Sequence, residues 1–103
     1  MRIQLHPDFA KDIRRFESEY RSVTPALGQR FLKDVTAALD AVKLSPLSAG
    51  HYVNTGSQII RDCRRRNLRA FPFFVLYAVT DEWIYFAAVL PHRSDPLSWL
   101  KRF

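Results

Sequence analysis

The sequence has 103 residues, of which 48% are hydrophobic and 25% charged, a balance typical of one globular soluble domain and not of a disordered chain. Its formal net charge of +6 favours acidic partners, such as nucleic acid or an acidic protein segment. No apolar run reaches the roughly 18–20 residues that a membrane span needs, and the N-terminus MRIQLHPDF lacks the apolar core of a signal peptide, so we expect a cytoplasmic protein.

The first half of the chain predicts a short strand and two helices. Polar and apolar residues alternate over Arg2–His6, as in a half-buried strand. Pro7 stands where a helix can begin, and four apolar side chains then follow at helical spacing: Phe9, Ile13, Phe16 and Tyr20. Thr24 should cap a second helix over residues 25–45, which ends before Pro46. Because the break between them is short, the helices should form an antiparallel hairpin.

The second half predicts a loop, three strands and a short helical turn. Residues 46–57 contain two of the three glycines and show no periodicity, so they indicate a loop. The tail LSWLKRF is long enough for one helical turn. The strands are expected at about 58–68, 71–80 and 82–91. The order β-α-α-β-β-β predicts a single α+β domain over residues 1–103, with the helical hairpin packed on a mostly antiparallel sheet.

Both faces of the last two predicted strands are apolar. Strict alternation along the last strand would place Ala88 and Leu90 on the same face as Ile84 and Phe86. A helical hairpin covers only one face of a sheet, so the other face needs a second cover. The tail around Trp99 could supply it, and so could a partner protein or a second copy of the chain. We therefore interpret the pattern as an argument for an obligate partner.

An arginine cluster directly precedes the aromatic strand, with five arginines in the nine residues 61–69. In a strand, alternate residues point to opposite faces, which pairs Arg64 and Arg66 with Leu68 on one face, and Arg61 and Arg65 with Cys63 on the other. Charged residues of this kind can simply protect a sheet edge from aggregation. We favour the alternative that Arg64 and Arg66 border a groove beside the aromatic strand, where an acidic segment or phosphates bind.

The stretch RRRNLRAFPFFVLYAVTDEWIYFAAVL, followed by R-x-D-P-x-x-W, resembles the RelE/ParE superfamily of bacterial toxins, and the ParE branch of plasmid stabilisation proteins most closely. The resemblance covers the whole chain in architecture and residues 61–102 in motif. It implies the toxin of a type II toxin–antitoxin module. It also implies a cognate antitoxin whose acidic, partly disordered tail folds on the toxin and which contacts operator DNA on the toxin's behalf.

The superfamily includes two activities, so the fold does not decide the function. RelE-like members cleave mRNA on the ribosome, whereas ParE-like members inhibit DNA gyrase. If the chain is a nuclease, the candidate residues are Arg64, Arg66, His92 and Arg93. However, the third-strand arginine of RelE-like proteins falls on Phe74, and their late tyrosine falls near Ser98 or Trp99. The resemblance therefore implies a depleted nuclease site.

The histidines do not restore a catalytic site on sequence grounds. ParE-like members often carry a histidine one position before His92, where this chain has Pro91. We favour a structural role for His92 over proton transfer. His6 and His51 have no metal-ligand spacing, His51 is expected in a solvated loop, and Cys63 is the only cysteine, so neither a metal nor a cofactor is expected.

We therefore expect a gyrase-binding toxin that has no catalytic activity of its own. The alternatives are an mRNA endoribonuclease and a non-toxic basic protein-binding module of the same fold. Contacts with the target or the antitoxin are expected from cationic and aromatic side chains of the last strands and the tail: Arg61, Arg64, Arg65, Arg66, Arg69, Phe74, Tyr77, Arg93, Trp99, Lys101 and Arg102.

Overall fold

The computed structural model describes residues 1–57 and 62–103. Within them, a five-stranded sheet has the strand order β1-β5-β4-β3-β2. The strands are β1 (Arg2–Leu5), β2 (His51–Val53), β3 (Cys63–Asn67), β4 (Phe73–Val79) and β5 (Trp83–Pro91). The helices are α1 (Phe9–Val23), α2 (Pro25–Leu44) and a C-terminal 3-10 helix (Pro96–Arg102). Strand β1 is parallel to β5 and the other neighbours are antiparallel, which confirms the predicted α+β architecture.

The helical hairpin forms where the sequence predicts it. The Thr24 hydroxyl accepts a hydrogen bond from the Leu27 N–H at 3.1 Å and so caps α2, while its own N–H donates to the Tyr20 carbonyl at 3.2 Å at the end of α1. A Cβ at Gly28 would lie only 2.9 Å from the Arg21 Cβ, so glycine lets the two helices approach closely. No helix in the described ranges is both long and apolar enough to cross a membrane.

The prediction of a loop over residues 46–57 is wrong at His51–Val53, which form strand β2. This strand pairs antiparallel with β3 and places His51 opposite Arg65. Three residues are too few to show a period of two, and their partner strand is rich in arginine, so no pattern identified the pair. The predicted strand over 58–68 is observed at Cys63–Asn67, and residues 58–61 lie outside the described ranges.

A β-bulge in β5 corrects the predicted alternation of side chains. Leu76 pairs with Ala88, but the next residue of β4, Tyr77, pairs with Phe86, so Ala87 is an extra residue in β5. Before the bulge, Ile84 and Phe86 face the helices. After it, Val89 does so, and Ala88 and Leu90 turn to the opposite face. Strict alternation fails because the extra residue shifts the period by one.

The face of the sheet that contacts the helices has an aromatic core. The Phe31 ring lies 5.4 Å from the Phe71 ring and 5.2 Å from the Phe73 ring, both at steep angles. Tyr20 of α1 adds an edge contact to Phe71, with ring centroids 4.8 Å apart. Edge-to-face packing of this kind contributes about 0.5–1.5 kcal/mol per pair beyond burial alone. Rings from both helices therefore pack against Phe71 and against Phe73, the first residue of β4. Tyr20 belongs to the apolar stripe predicted on α1.

The opposite face of the sheet is covered by the chain's own tail. Its buried cluster consists of Cys63, Phe74, Leu76, Ala88 and Leu90, and the tail residues Trp99, Leu100 and Phe103 pack against it. Phe74, Leu76 and Ala88 are fully buried. Of the covers considered from the sequence, the tail is the one observed. The apolar second face is therefore no argument for an obligate partner.

A buried ion pair joins the tail to α1 and to the bulge. The Arg102 Nη1 lies 2.6 Å from the Asp12 Oδ2 and also donates to the Ala87 carbonyl at 3.0 Å. The same Asp12 oxygen accepts the Val89 N–H at 3.1 Å. The two charged side chains are only 10% and 14% exposed, and the Trp99 ring lies 4.6 Å from the guanidinium. The pair thus satisfies two backbone groups of β5 that lie beyond Phe86, the last residue of β5 that pairs with β1.

Replacing Arg102 with alanine should lower the free energy of unfolding by about 3 kcal/mol, because it leaves the Asp12 carboxylate buried without its cation. Urea denaturation followed by circular dichroism measures the change. The control is Lys101→Ala, which removes an exposed neighbouring cation and should change stability by less than about 0.5 kcal/mol. Equal stability of the two variants would contradict the structural role given to this ion pair.

Burial raises the pKa of the Cys63 thiol from 9.0 to about 11, and the charge of Asp62 adds to the effect. Between pH 9 and about pH 11 the Cys63 thiol therefore stays protonated in the native state and loses its proton in the unfolded state. The associated stability is complete below pH 9 and is lost as the pH rises towards 11. We expect Ellman's reagent at about pH 8 to label the native protein far more slowly than the denatured protein. Equal labelling rates would show that the thiol is accessible.

Candidate partner-binding surface

Arg64 and Arg66 hold the connection between α2 and β2. The Arg64 Nε lies 2.6 Å from the Asp62 carboxylate, and its Nη1 donates to the Leu47 carbonyl at 2.8 Å. The Arg66 Nη1 donates to the Ala49 carbonyl at 2.9 Å. As predicted, both lie on the face of β3 that also carries Leu68. That face is the helix side of the sheet, however. Both guanidinium groups donate hydrogen bonds within the chain, and the buried Arg66 Nε has no hydrogen-bond partner among the described residues.

Tyr77 belongs to the same internal arrangement. Its side chain is fully buried, and its hydroxyl donates to the Pro46 carbonyl at 3.0 Å. Burial raises the pKa of Tyr77, and Arg64 opposes this rise. A Cβ at Gly50 would lie 2.4 Å from the tyrosine hydroxyl oxygen, so the connection passes this ring only with glycine at that position. Tyr77, predicted as a contact residue, is not exposed to a partner.

On the opposite face, Arg65 and His92 meet at Phe74. The Arg65 guanidinium carbon lies 3.7 Å from the centroid of the Phe74 ring, and its Nε and Nη2 donate to the Asn67 Oδ1 at 3.2 and 3.1 Å. The His92 ring is nearly parallel to Phe74, at 25°, with centroids 6.5 Å apart. Burial lowers the pKa of Arg65. On this face of the sheet the cation that contacts the aromatic strand is therefore Arg65, whereas Arg64 and Arg66 lie beside β4 on the helix side.

The structure does not bring the four nuclease candidates together. Arg64 and Arg66 lie on the helix side of β3, whereas His92 stacks on the other face and follows β5 directly. Strand β4 separates the two groups, because the strand order is β5-β4-β3. Arg93 is exposed beside His92. A phosphate near His92 would thus lack the two β3 cations proposed for it.

The remaining predicted residues are distributed over several surfaces. Arg69 is exposed in the β3–β4 turn, where its backbone N–H donates to the Asp34 carboxylate at 3.2 Å. Lys101 is exposed, with its Nζ 6.0 Å from the Trp99 ring centroid. Arg102 is buried in its ion pair with Asp12. Arg61 lies outside the described residues.

A groove runs between α1 and the end of β5. It consists of two adjoining pockets of about 380 and 260 Å³, which share Phe16, Glu19, Pro91 and Arg93. The larger pocket extends to Tyr20, Pro72 and His92, and the smaller one to Arg15 and Trp99. Of these residues, the sequence singled out Arg93 and Trp99 for binding, and His92 and Arg93 as nuclease candidates. We name this feature the α1–β5 groove.

The family model of the ParE toxin of the type II toxin–antitoxin system parDE matches residues 3–96. The chain belongs to the ParE toxin family. Among solved structures, a chain from the chromosomal ParDE toxin–antitoxin system of P. aeruginosa is similar in fold, with a TM-score of 0.71 and 14% sequence identity. The match covers 88% of this chain and 95% of that chain. No match is found among curated proteins.

The family assignment confirms the predicted membership of the RelE/ParE superfamily and identifies a type II toxin component. Its ParE fold is visible in the helical hairpin and the five-stranded sheet. The sequence did not predict the α1 side of the groove, because Phe16 and Tyr20 belong to the apolar stripe of α1 and are typical of residues buried in the core. The arginine at position 15 and the glutamate at position 19, spaced as an i, i+4 pair next to that stripe, were the available signal.

In this ParE-family chain, replacing both Arg64 and Arg66 with glutamate should lower the free energy of unfolding by about 2–4 kcal/mol, because carboxylates would then face the Leu47 and Ala49 carbonyls. Thermal unfolding measures the loss. The matched control is Arg30→Glu with Lys33→Glu, an equal charge change at exposed positions of α2. If the β3 double variant is as stable as this control, the two arginines do not hold the connection.

Proposed function

We propose that this ParE-family toxin inhibits growth by binding DNA gyrase, and that a cognate antitoxin neutralises it. The family supplies the toxin class. The name of the similar P. aeruginosa system, ParDE, supports an antitoxin partner by analogy. Gyrase as the target follows from the ParE branch of the superfamily. We place this activity in the cytoplasm, where gyrase acts, and we assign contacts with operator DNA to the antitoxin.

The observation that carries this proposal is the separation of Arg64 and Arg66 from the His92 imidazole. Cleavage of RNA requires a base, an acid and cations that converge on one phosphate. Here Arg64 and Arg66 are engaged on the helix side of the sheet, and Phe74 is fully buried where the RelE-like arginine falls. A surface without such convergence supports binding in preference to catalysis.

The distribution of exposed charge also supports a binding function. With Arg64, Arg66 and Arg102 engaged internally, the cations that remain at the surface include Arg15, Arg69, Arg93 and Lys101. They contribute to a positive surface field on a chain whose net charge is +6. Such a field favours both an acidic antitoxin segment and the DNA that gyrase holds.

RNA cleavage is the second candidate, and one observation favours it. Arg65 and His92 share a face of the sheet and both approach Phe74, so a cation and an imidazole lie near the position of the RelE-like arginine. The Arg65 guanidinium already binds Asn67 and stacks on the ring, and its pKa is lowered by burial. A nuclease built on these residues would use Arg65 in place of Arg64 and Arg66.

The two candidates are separated by testing the purified chain against gyrase and against ribosomes. With gyrase, ATP and plasmid DNA, we expect loss of supercoiling or linear DNA after denaturation of the complex. With translating ribosomes, we expect mRNA to stay intact. His92→Ala is the matched variant, because it should leave gyrase inhibition unchanged and would abolish cleavage if His92 transfers a proton.

Cuts in mRNA at the ribosomal A site, absent with the His92→Ala variant, would overturn the gyrase proposal in favour of the nuclease. Induction of the chain alone in a bacterial host should stop growth. Unchanged growth with confirmed expression of folded protein would contradict the toxin function and leave a basic protein-binding module.

A further inference from the structure

We propose that three cations beside the turn between β3 and β4 bind the phosphate backbone of duplex DNA. They are Arg30 and Lys33 of α2 and Arg69 of the turn, all exposed, and we name them the β3–β4 cationic patch. This inference rests on the proposed function, since it assigns to these side chains the DNA that gyrase holds. The depression beside them shares no lining residue with the α1–β5 groove.

Asp34 explains why these cations lack a partner within the chain. Its carboxylate accepts the backbone N–H groups of the three consecutive residues 69–71, at 3.2, 2.9 and 3.0 Å. Asp34 stands four residues after Arg30, a spacing at which ion pairs form along a helix. Here the carboxylate binds the turn instead. Within the described residues, the cations of the patch therefore have no ion-pair partner.

Cations of α1 show the contrast. The Lys11 Nζ lies 3.3 Å from the Asp8 carboxylate, and the Arg21 Nε lies 3.3 Å from the Glu17 carboxylate. Partners at these spacings lower the local positive charge. At the β3–β4 cationic patch, three cations stand against one carboxylate, whose oxygens are already hydrogen-bonded to the turn. The local charge therefore stays positive and attracts an anion.

The surface between the cations suits phosphates better than an acidic peptide. It is an open depression of about 270 Å³, lined by Arg30, Lys33, Asp34, Ala37, Ala70 and Phe71. The two alanines are small, and Phe71 is only 8% exposed. A peptide that folds on a surface needs pockets for apolar anchors, which this lining does not provide. Phosphates need donors and positive charge, which arginine supplies as a planar fork and lysine as a point charge.

The same surface favours the DNA backbone over the bases. Unpaired bases bind by stacking on exposed rings, and the one ring in the depression, Phe71, is buried. The Asp34 oxygens, which could accept from a base edge, are bound to the turn. We therefore expect binding that does not depend on DNA sequence. It should depend strongly on salt, because cations that bind phosphates release counterions.

Titration of a labelled duplex with the full chain, followed by fluorescence anisotropy, tests the patch. The patch variant combines Arg30→Gln, Lys33→Gln and Arg69→Gln. It should weaken binding about 10- to 100-fold at roughly 0.1 M salt, because three phosphate contacts are lost. It should also reduce the slope of log K against log salt concentration by about 2–3. Duplexes of different sequence should show the same loss.

The matched control combines Lys11→Gln, Arg14→Gln and Lys43→Gln, which removes the same charge at other exposed positions of α1 and α2. It should weaken duplex binding by less than about threefold. Equal weakening by both variants would overturn the site, since the effect would then come from net charge alone. Failure of the wild type to bind the duplex at roughly 0.05 M salt would overturn it as well. Circular dichroism confirms that each variant is folded.

An acidic protein partner is the competing occupant, and a labelled oligoglutamate peptide tests it in the same titration. We expect the patch variant to lose more affinity for the duplex than for this peptide, because the depression lacks pockets for a peptide's side chains. A loss for the peptide that equals or exceeds the loss for the duplex would identify an acidic protein as the occupant. That result would overturn the proposal.

A supercoiling assay separates this inference from the proposed function. Where the wild type inhibits gyrase, the patch variant should need about 10-fold more protein for the same inhibition, and the control variant less than about threefold more. A patch variant that inhibits as well as the wild type would refute the DNA contact and leave the gyrase proposal standing. A wild type that does not inhibit gyrase would refute the proposed function, whereas the duplex titration still decides whether the patch binds DNA.

Discussion

The arrangement of this protein depends on one buried ion pair between the first helix and the last residues of the chain. Asp12 and Arg102 are ninety residues apart in sequence, and together they bind the backbone of β5 at Ala87 and Val89. An isolated buried pair is weak support for stability, because desolvation offsets the attraction. Here the same atoms also satisfy an N–H and a carbonyl at the bulge, so the pair fixes the tail over the second face of the sheet and completes the core.

The arginine cluster acts in a similar way, since most of its described members are used inside the molecule. Arg64 and Arg66 bind carbonyl groups of the connection after α2, and Arg65 stacks on Phe74. Arginine suits these positions because its planar fork donates in fixed directions and its flat face packs on rings. A run of positive charge beside an apolar strand thus reflects packing as well as recognition. The exposed cations of the α1–β5 groove come from other elements.

Much of the fold follows from periodicity alone. The stripe on α1, the Thr24 cap and the apolar β4 each have a local cause in the sequence, and each is found where it was expected. Strand β2 was missed because three residues carry no period. The separation of Arg64 and Arg66 from Arg65 was predicted correctly. The sequence did not predict which of the two faces packs against the helices. Alternation gives only the orientation of side chains relative to one another, and tertiary packing decides the rest.

The extra residue at Ala87 has a consequence for the end of the strand. Side chains on β5 change face at every step, so one additional residue inverts the parity of all that follow it. With the bulge, His92 shares the face of Ala88 and Leu90 and reaches Phe74. Without the bulge, alternation would have placed the odd-numbered residues Pro91 and Arg93 on that face in place of His92. If the bulge is ignored, the position of His92 on the sheet is therefore assigned to Pro91 or Arg93. Equivalent positions in relatives must be identified by the face on which a side chain lies and not by residue number.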